Sequence, residues 1–469
     1  MSRRLAAAAA VLLAGTVVVA AAPAAVAAPV PVPAGAGTSA YAWGTNSSGQ
    51  LGDGTFTDRT QPFQVPGLGD VRQVAGTSSG SLALRADGTV WAWGSNRHSQ
   101  LGLGAGIFSA GAPTQVPNLF GVVKLAALDE HAFAITGDGS LWAWGDNPAY
   151  VLGDGTQIER TTPTRLTLLG GPVVSVATNH FHTVAARADG VLLSWGQSLI
   201  FGQPTQQFPV QLIGPPPTVQ VATGGGVDVA LHSNGTVSTW GSNPFGELGT
   251  GSTSPATRLG PAPVPGLGGV TQIAAGEGTG NSNLLMGGFV LAVAGANDAV
   301  WAWGVNQDFE IGDGTGTNRF SPVPNGLTGV STISAGLYKS AAVTNNGTVY
   351  TWGQPLAFGL GARTPRAWSL PNQFGTNGPG VAISASGFAH FLVAGISAVT
   401  VPDLRNLNLT SAQAGLAASY LHIGTVTNQP DPLCDHIGKV WFQSPSPGVV
   451  VGPGSAVNLT FGQRTGPCR

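Results

Sequence analysis

Three histidines, His131, His182 and His390, occupy equivalent places in a repeating pattern, and three donors of one type at a fixed interval raise the possibility of a metal triad. One histidine per repeat puts the three on separate units around a ring, too far apart to share an ion. A hydrogen bond from each to a neighbouring turn is the expected use. Asp53, Asp154 and Asp313 close the Gly-rich segments Leu51-Gly52-Asp53-Gly54, Leu152-Gly153-Asp154-Gly155 and Ile311-Gly312-Asp313-Gly314. Calcium loops need a denser run of acids, so these aspartates are expected to bond to their own backbone as Asx-turns. No G-x-S-x-G elbow, HExxH, paired-carboxylate motif or phosphate loop occurs. No catalytic residue, cofactor or metal ligand is therefore assigned, and a non-enzymatic protein is expected. What remains is a set of turn positions with varied, partly aromatic chemistry: Asp129, Glu130, Phe181, Tyr338 and Phe388, with His180 and Leu337 beside them.

These turns must be placed by a scaffold, and the tryptophans reveal it. Trp-Gly recurs at Trp43, Trp93, Trp144, Trp195, Trp240, Trp303 and Trp352, with steps of 45 to 63 residues. A period near ~50 with β-type composition points to propeller blades. Within a unit, Val122 to Ala127 and His131 to Thr136 read as strands. The pair Asp138-Gly139 reads as a type I′ hairpin turn, and Ser140 to Trp144 as the third strand. A Pro-flanked fourth strand leads onward. The one long step holds Glu277 to Gly288, read as a loop insertion within a blade. The first Trp-Gly strand, Thr38 to Gly44, lacks partners before it, and the last unit, Ile383 to Gly395, lacks its Trp-Gly strand. Inserting one into the other closes a seven-bladed ring and leaves no free edge. Strand direction then puts the first-to-second-strand turns on the same face as the long Gly-rich loops, where propellers present binding surfaces.

The chain's margins speak to compartment. Arg3 and Arg4, an apolar run from Leu5 to Ala22 and the small-residue site Ala25-Val26-Ala27 have the pattern of a secretory leader over residues 1–27, followed by a linker over 28–36. No later stretch has the ~20 apolar residues of a spanning helix. With 19 Lys and Arg against 21 Asp and Glu, there is no basic patch for nucleic acid. A secreted, extracellular or cell-wall-associated monomer is expected. Cys434 and Cys468 are its two cysteines, and in an exported chain one disulfide between them is the default.

Trp93-Gly94-Ser95-Asn96, Gln100-Leu101-Gly102 and the Gly-x-x-His segment Gly387 to His390 resemble the regulator-of-chromosome-condensation repeat family over residues 37–395. That resemblance implies an all-β seven-bladed propeller. It leaves function open, since relatives include exchange factors, ligase subunits and secreted inhibitors. Exchange and chromatin roles conflict with export and charge.

Residues 399–469 change character. A capping box at Thr410-x-x-Gln413 opens a helix with Ala412, Leu416 and Tyr420 on one face, and strand-like runs follow. The segment looks like a PASTA domain, a small α+β extracellular module whose implied ligand is peptidoglycan. An insertion near Gln429 to Asp435 departs from that pattern. Together these features imply a non-enzymatic extracellular binding protein for a protein or cell-wall glycan. The alternatives are a secreted inhibitor of β-lactamases or related wall enzymes, and a wall-polymer lyase or hydrolase.

Overall fold

The computed structural model describes residues 37–197, 203–278, 287–354, 362–368, 380–386, 390–418, 421–451 and 455–464. The leader and linker, Phe388, Tyr420 and Cys468 therefore lie outside the described residues, and with Cys468 lies the Cys434–Cys468 pairing. Seven antiparallel four-stranded blades are present. Six are consecutive in sequence, over residues 71–115, 122–165, 173–212, 218–263, 270–324 and 330–368. The seventh is composite: Gly380–Ser386 and His390–Thr400 from the end of the array, then Gly37–Gly44 and Arg59–Gly69 from its start. Gly37–Gly44 pairs with His390–Thr400 from Gly37↔Ala398 to Gly44↔His390. The ring closes as the complementary ends require.

Burial grades outward across a blade, and composition follows it. Second strands such as His131–Thr136 and Val227–His232 are covered on both faces, so small and β-branched apolar residues fill them. Fourth strands such as Ser109–Gln115 are mostly exposed. Each carries a proline where the outer edge needs no ladder donor, at Pro113, Pro163, Pro209, Pro261, Pro322 and Pro365.

Blades are joined through the Trp-Gly tryptophans. In five of the seven the indole N–H donates to a loop carbonyl one blade back: Trp93 to Gln50 O (2.9 Å), Trp144 to Gln100 O (3.0 Å), Trp195 to Val151 O (2.8 Å), Trp303 to Glu247 O (2.9 Å) and Trp352 to Glu310 O (2.8 Å). The glycine after each Leu or Ile of that loop is obligatory for the same reason. At Gly153 (φ +75°) a Cβ would lie 2.6 Å from the Trp195 indole nitrogen. Between innermost strands, side-chain amides stitch neighbouring backbones. Gln73 bonds both O and N of Leu125 (2.8 and 2.9 Å), and Gln220 does the same at Ile273 (2.9 and 3.1 Å).

The hairpin turns correct one sequence expectation. In Arg85-Ala86-Asp87-Gly88-Thr89 the glycine has φ +79° while Asp87 is not left-handed, and Gly88 N donates to Arg85 O at 3.0 Å. This is a type I turn with a glycine bulge rather than the type I′ pair. Asp87 instead accepts the Thr89 N–H at 2.9 Å, which ties the aspartate side chain to the turn it shapes.

The C-terminal part has a helix, Leu409–Ala418, and a three-stranded sheet of His422–Pro430, Val440–Ser444 and Ala456–Gln463. Ala412 and Leu416 are buried. A short strand, Val450–Val451, lies outside that sheet and pairs with Val399 and Thr400, the end of the closing blade's strand. Val401, Leu404 and Leu416 share one apolar cluster with Ala42, Val71 and Trp93 of the propeller.

Candidate functional site

The first-to-second-strand turns gather at one mouth of the channel, and three side chains from three blades meet across it. His180 Nδ1 stands 2.9 Å from Asp129 Oδ2 and 3.5 Å from Glu277 Oε1. The flanking backbone fixes these groups. Ser78 N donates to Asp129 O at 2.8 Å, and Tyr338 N donates to Glu277 O at 2.6 Å. A polar chain thus runs over five blades from Ser78 to Tyr338. Asp129 and Tyr338 sit in the left-handed region (φ +52° and +61°) to make their tight turns.

Electrostatics at the mouth are dominated by the imidazole. The carboxylates that approach its Nδ1, Asp129 first and then Glu277, lift His180 to about 10, so it is imidazolium at neutral pH. Burial, more than any neighbour, pushes the Asp129 carboxyl up despite that cation, and Glu277 adds to the rise.

Adjacent residues part company here. Asp129 turns to the channel, whereas Glu130 faces an outer cleft between the closing blade and the first complete one. Five serines line that cleft (Ser47, Ser48, Ser79, Ser95, Ser109), with Arg97 and His98. Phe56 and Phe108 flank it, 64% and 72% exposed. Burial brings Glu130 to about 7, and Gln100 donates to its carboxylate. Phe181 is exposed beside His180, with ring centroids 5.9 Å apart. Sequence reasoning singled out neither Glu277 nor the Phe56 and Phe108 pair. Glu277 opens the Gly-rich insertion that interrupts its repeat, and the phenylalanines occupy loops of different blades.

Two of the histidines at equivalent positions, His131 and His182, serve blade-to-blade contacts, and the side chain of His390 lies outside the described residues. His131 Nε2 lies 2.6 Å from Thr178 Oγ1 on the next blade, and burial pushes its pKa down to about 3. His182 Nε2 is 3.1 Å from Asp228. Asp53, Asp154 and Asp313 each accept a backbone N–H two residues on (Thr55, Thr156 and Thr315, all 2.9 Å). Their second oxygens take Arg59, Arg160 and Arg319 at 2.6–2.7 Å, arginine partners that the loop sequence alone did not disclose.

One framework position carries a pH prediction. Gln50, Gln100, Glu247 and Glu310 are equivalent, each accepting the backbone N–H two residues earlier at 2.8–3.0 Å. Where the residue is acidic, burial raises it from 4.5 to about 7, and among the described residues one oxygen of each carboxyl has no hydrogen-bond partner. A carboxyl with a raised folded value gives its full contribution below about pH 4.5 and loses it as pH rises through about 7. Glu310→Gln keeps the acceptor and removes the buried charge. We expect it to stabilise the fold at pH 8 by roughly 1–3 kcal/mol and to do little at pH 4.5. Urea midpoints at the two pH values measure this, and an equal effect at both would refute the assignment.

Fold and site together define a closed seven-bladed propeller with a polar, aromatic-flanked loop face and an appended small domain. The model of the regulator of chromosome condensation (RCC1) repeat matches residues 39–84, 87–135, 138–186 and 234–279, and a second model of that repeat matches 71–100 and 122–149. The PASTA domain model matches 399–463. The chain thus carries RCC1 repeats, within a propeller, and a C-terminal PASTA domain. It is similar to the E3 ubiquitin-protein ligase HERC2 of Homo sapiens, 29% identical over 82% of this chain, and to the ultraviolet-B receptor UVR8 of Arabidopsis thaliana, 31% identical over 60% of it. The chain spans 8% and 64% of the lengths of those proteins. Among solved structures, human WBSCR16 superposes with a TM-score of 0.64 at 22% identity, covering 77% of this chain and 99% of that one. Yeast RCC1 (Prp20), solved with Kap60 bound, gives 0.64 at 20% identity, covering 77% and 89%. No helix among the described residues is long and apolar enough to cross a membrane.

Proposed function

We propose that this is an exported, non-enzymatic binding protein of the bacterial cell wall. In this view residues 1–27 direct export, 28–36 are a linker, residues 37–395 form the recognition ring, and residues 399–469 associate with peptidoglycan, stapled by Cys434–Cys468. The loop face holds a protein or glycan partner through Asp129, Glu130, Phe181, Tyr338 and Phe388, and through the serine-lined cleft between Phe56 and Phe108. The single observation carrying this is the covalent union of a PASTA domain with a closed propeller, two modules that bind rather than transform. Serine hydroxyls between exposed rings suit a polar ligand with an apolar face, as sugars have.

On the C-terminal domain, His436, Trp441 and Phe442 form a stack with centroids 5.6 and 4.9 Å apart, and Phe442 is 54% exposed. An aromatic platform of this kind is where interface energy concentrates. Co-sedimentation of the full mature chain with purified sacculi tests the proposal. We expect binding, weakened on the order of tenfold by Phe442→Ala, with no such loss for Phe320→Ala, an exposed ring on an outer blade strand. A chain that stays in the supernatant refutes the wall assignment.

A further inference from the structure

We infer that Asp129, His180 and Glu277 form a binding site for a divalent transition-metal ion, best suited to Zn²⁺, at the mouth of the central channel. Each contributes one donor atom, and the three donors lie within 4.8 Å of one another. Tetrahedral zinc with bonds of about 2.0–2.1 Å separates its ligand atoms by about 3.3 Å. The observed 2.9 Å between Asp129 and His180 and 3.5 Å between His180 and Glu277 bracket that value. The remaining pair, Asp129 and Glu277, lies within 4.8 Å.

Two independent features show that the cluster is short of a partner. The Glu277 side chain is only 7% exposed, yet among the described residues its carboxylate meets nothing better than His180 at 3.5 Å. Asp129 Oδ2 is sealed from solvent with no donor aligned on it; the 2.9 Å approach of His180 is out of hydrogen-bonding geometry. Two largely buried carboxylates share a single imidazole here, a shortage that a divalent cation taking the place of its proton would relieve. The donor set selects the ion. One imidazole and two carboxylates suit zinc, whereas Ca²⁺ needs six to eight oxygens and Mg²⁺ a near-octahedral oxygen shell. Outer-shell support is in place on both sides. Ser78 Oγ reaches Asp129 Oδ1 at 3.4 Å, and the Tyr338 N–H holds the Glu277 carbonyl at 2.6 Å.

The geometry also sets what the ion does. His180 is 43% exposed on its side chain, so the ion has a path in and one coordination position toward solvent. With donors from the second, third and fifth complete blades, it braces the ring across its channel. The open position offers an acidic group of a partner a direct bond. The site does not depend on the wall-binding proposal and can fail or stand without it.

Titration of the metal-stripped full-length chain with Zn²⁺ against a chromogenic chelator tests the inference. One equivalent should bind with micromolar or tighter affinity, and Co²⁺ in its place should give the visible spectrum of a four-coordinate site. Glu277→Gln, which keeps size and polarity, and His180→Ala should each weaken binding by about 100-fold or more, with Ca²⁺ in large excess failing to compete. Unfolding of each variant without metal controls for loss of structure, and Glu277→Gln serves alone if His180→Ala does not fold. Absence of saturable binding overturns the site. So does equal affinity of wild type and Glu277→Gln, which would place the ion at other histidines.

Discussion

Deleting residues 37–69 is expected to abolish the monomeric folded state. The deletion removes two strands of the closing blade, including Ala40, Tyr41, Ala42 and Trp43, all at 0% exposure. Trp43 and Tyr41 pack with Ala341, Val349 and Ile383 in the core between the sixth and closing blades. Truncating one buried aromatic to alanine costs about 3–5 kcal/mol, and whole-domain stabilities run to only about 5–15 kcal/mol. Losing both, with a full ladder of backbone bonds to His390–Thr400, exceeds that reserve. The bared strand also becomes an open edge that recruits other chains. Size-exclusion chromatography with light scattering and a thermal melt measure the result. A monomer with a cooperative transition near that of the wild type would show that the ring does not depend on its closing strand.

Trp195→Ala is expected to cost about 3–5 kcal/mol. The indole is fully buried, meets Phe133 edge-on with centroids 6.4 Å apart, and donates to Val151 O. Trp195→Phe should cost less, about 1–2 kcal/mol. The Val151 carbonyl keeps a second donor, Thr183 Oγ1 at 2.9 Å, so losing the indole N–H does not strand the acceptor. Chemical denaturation of the two variants distinguishes packing from hydrogen bonding. A Trp195→Ala loss below 1 kcal/mol would contradict the role assigned to these tryptophans as clamps between blades.

Much of the scaffold could be read from the chain because its determinants are local and repeated. Trp-Gly marks one strand per blade, alternation and turn glycines mark the hairpins, and the unmatched ends announce the closure. The Asp-Gly turns show where such reading stops. The dipeptide locates the turn, but whether the glycine alone takes positive φ depends on the hydrogen bonds of the whole five-residue loop. Inter-blade features were less accessible still. Gln73 binds a backbone 52 residues away, and nothing about one glutamine in a strand discloses that partner.

The face of the site was legible, and its chemistry only in part. Strand direction placed Asp129, Glu130, Phe181 and Tyr338 at one mouth. It could not say that Asp129 and Glu130 point into different recesses, because a left-handed residue in the turn sets their directions apart. Glu277 escaped for a different reason. An insertion hides its equivalence to the other turn residues, and its meeting with His180 exists only because the ring brings non-adjacent blades face to face.

The pairing of Val450–Val451 with Val399 and Thr400 has a mechanical meaning. The strand His390–Thr400 is gripped along its length by Gly37–Gly44 on one side and Gly380–Ser386 on the other, and its far end belongs to the C-terminal domain's clip. A pull on that domain enters the ring along this strand. Its rungs lie across the direction of load and must shear together rather than peel one at a time. The seam that closes the propeller is therefore also its tether, held where it is hardest to unzip.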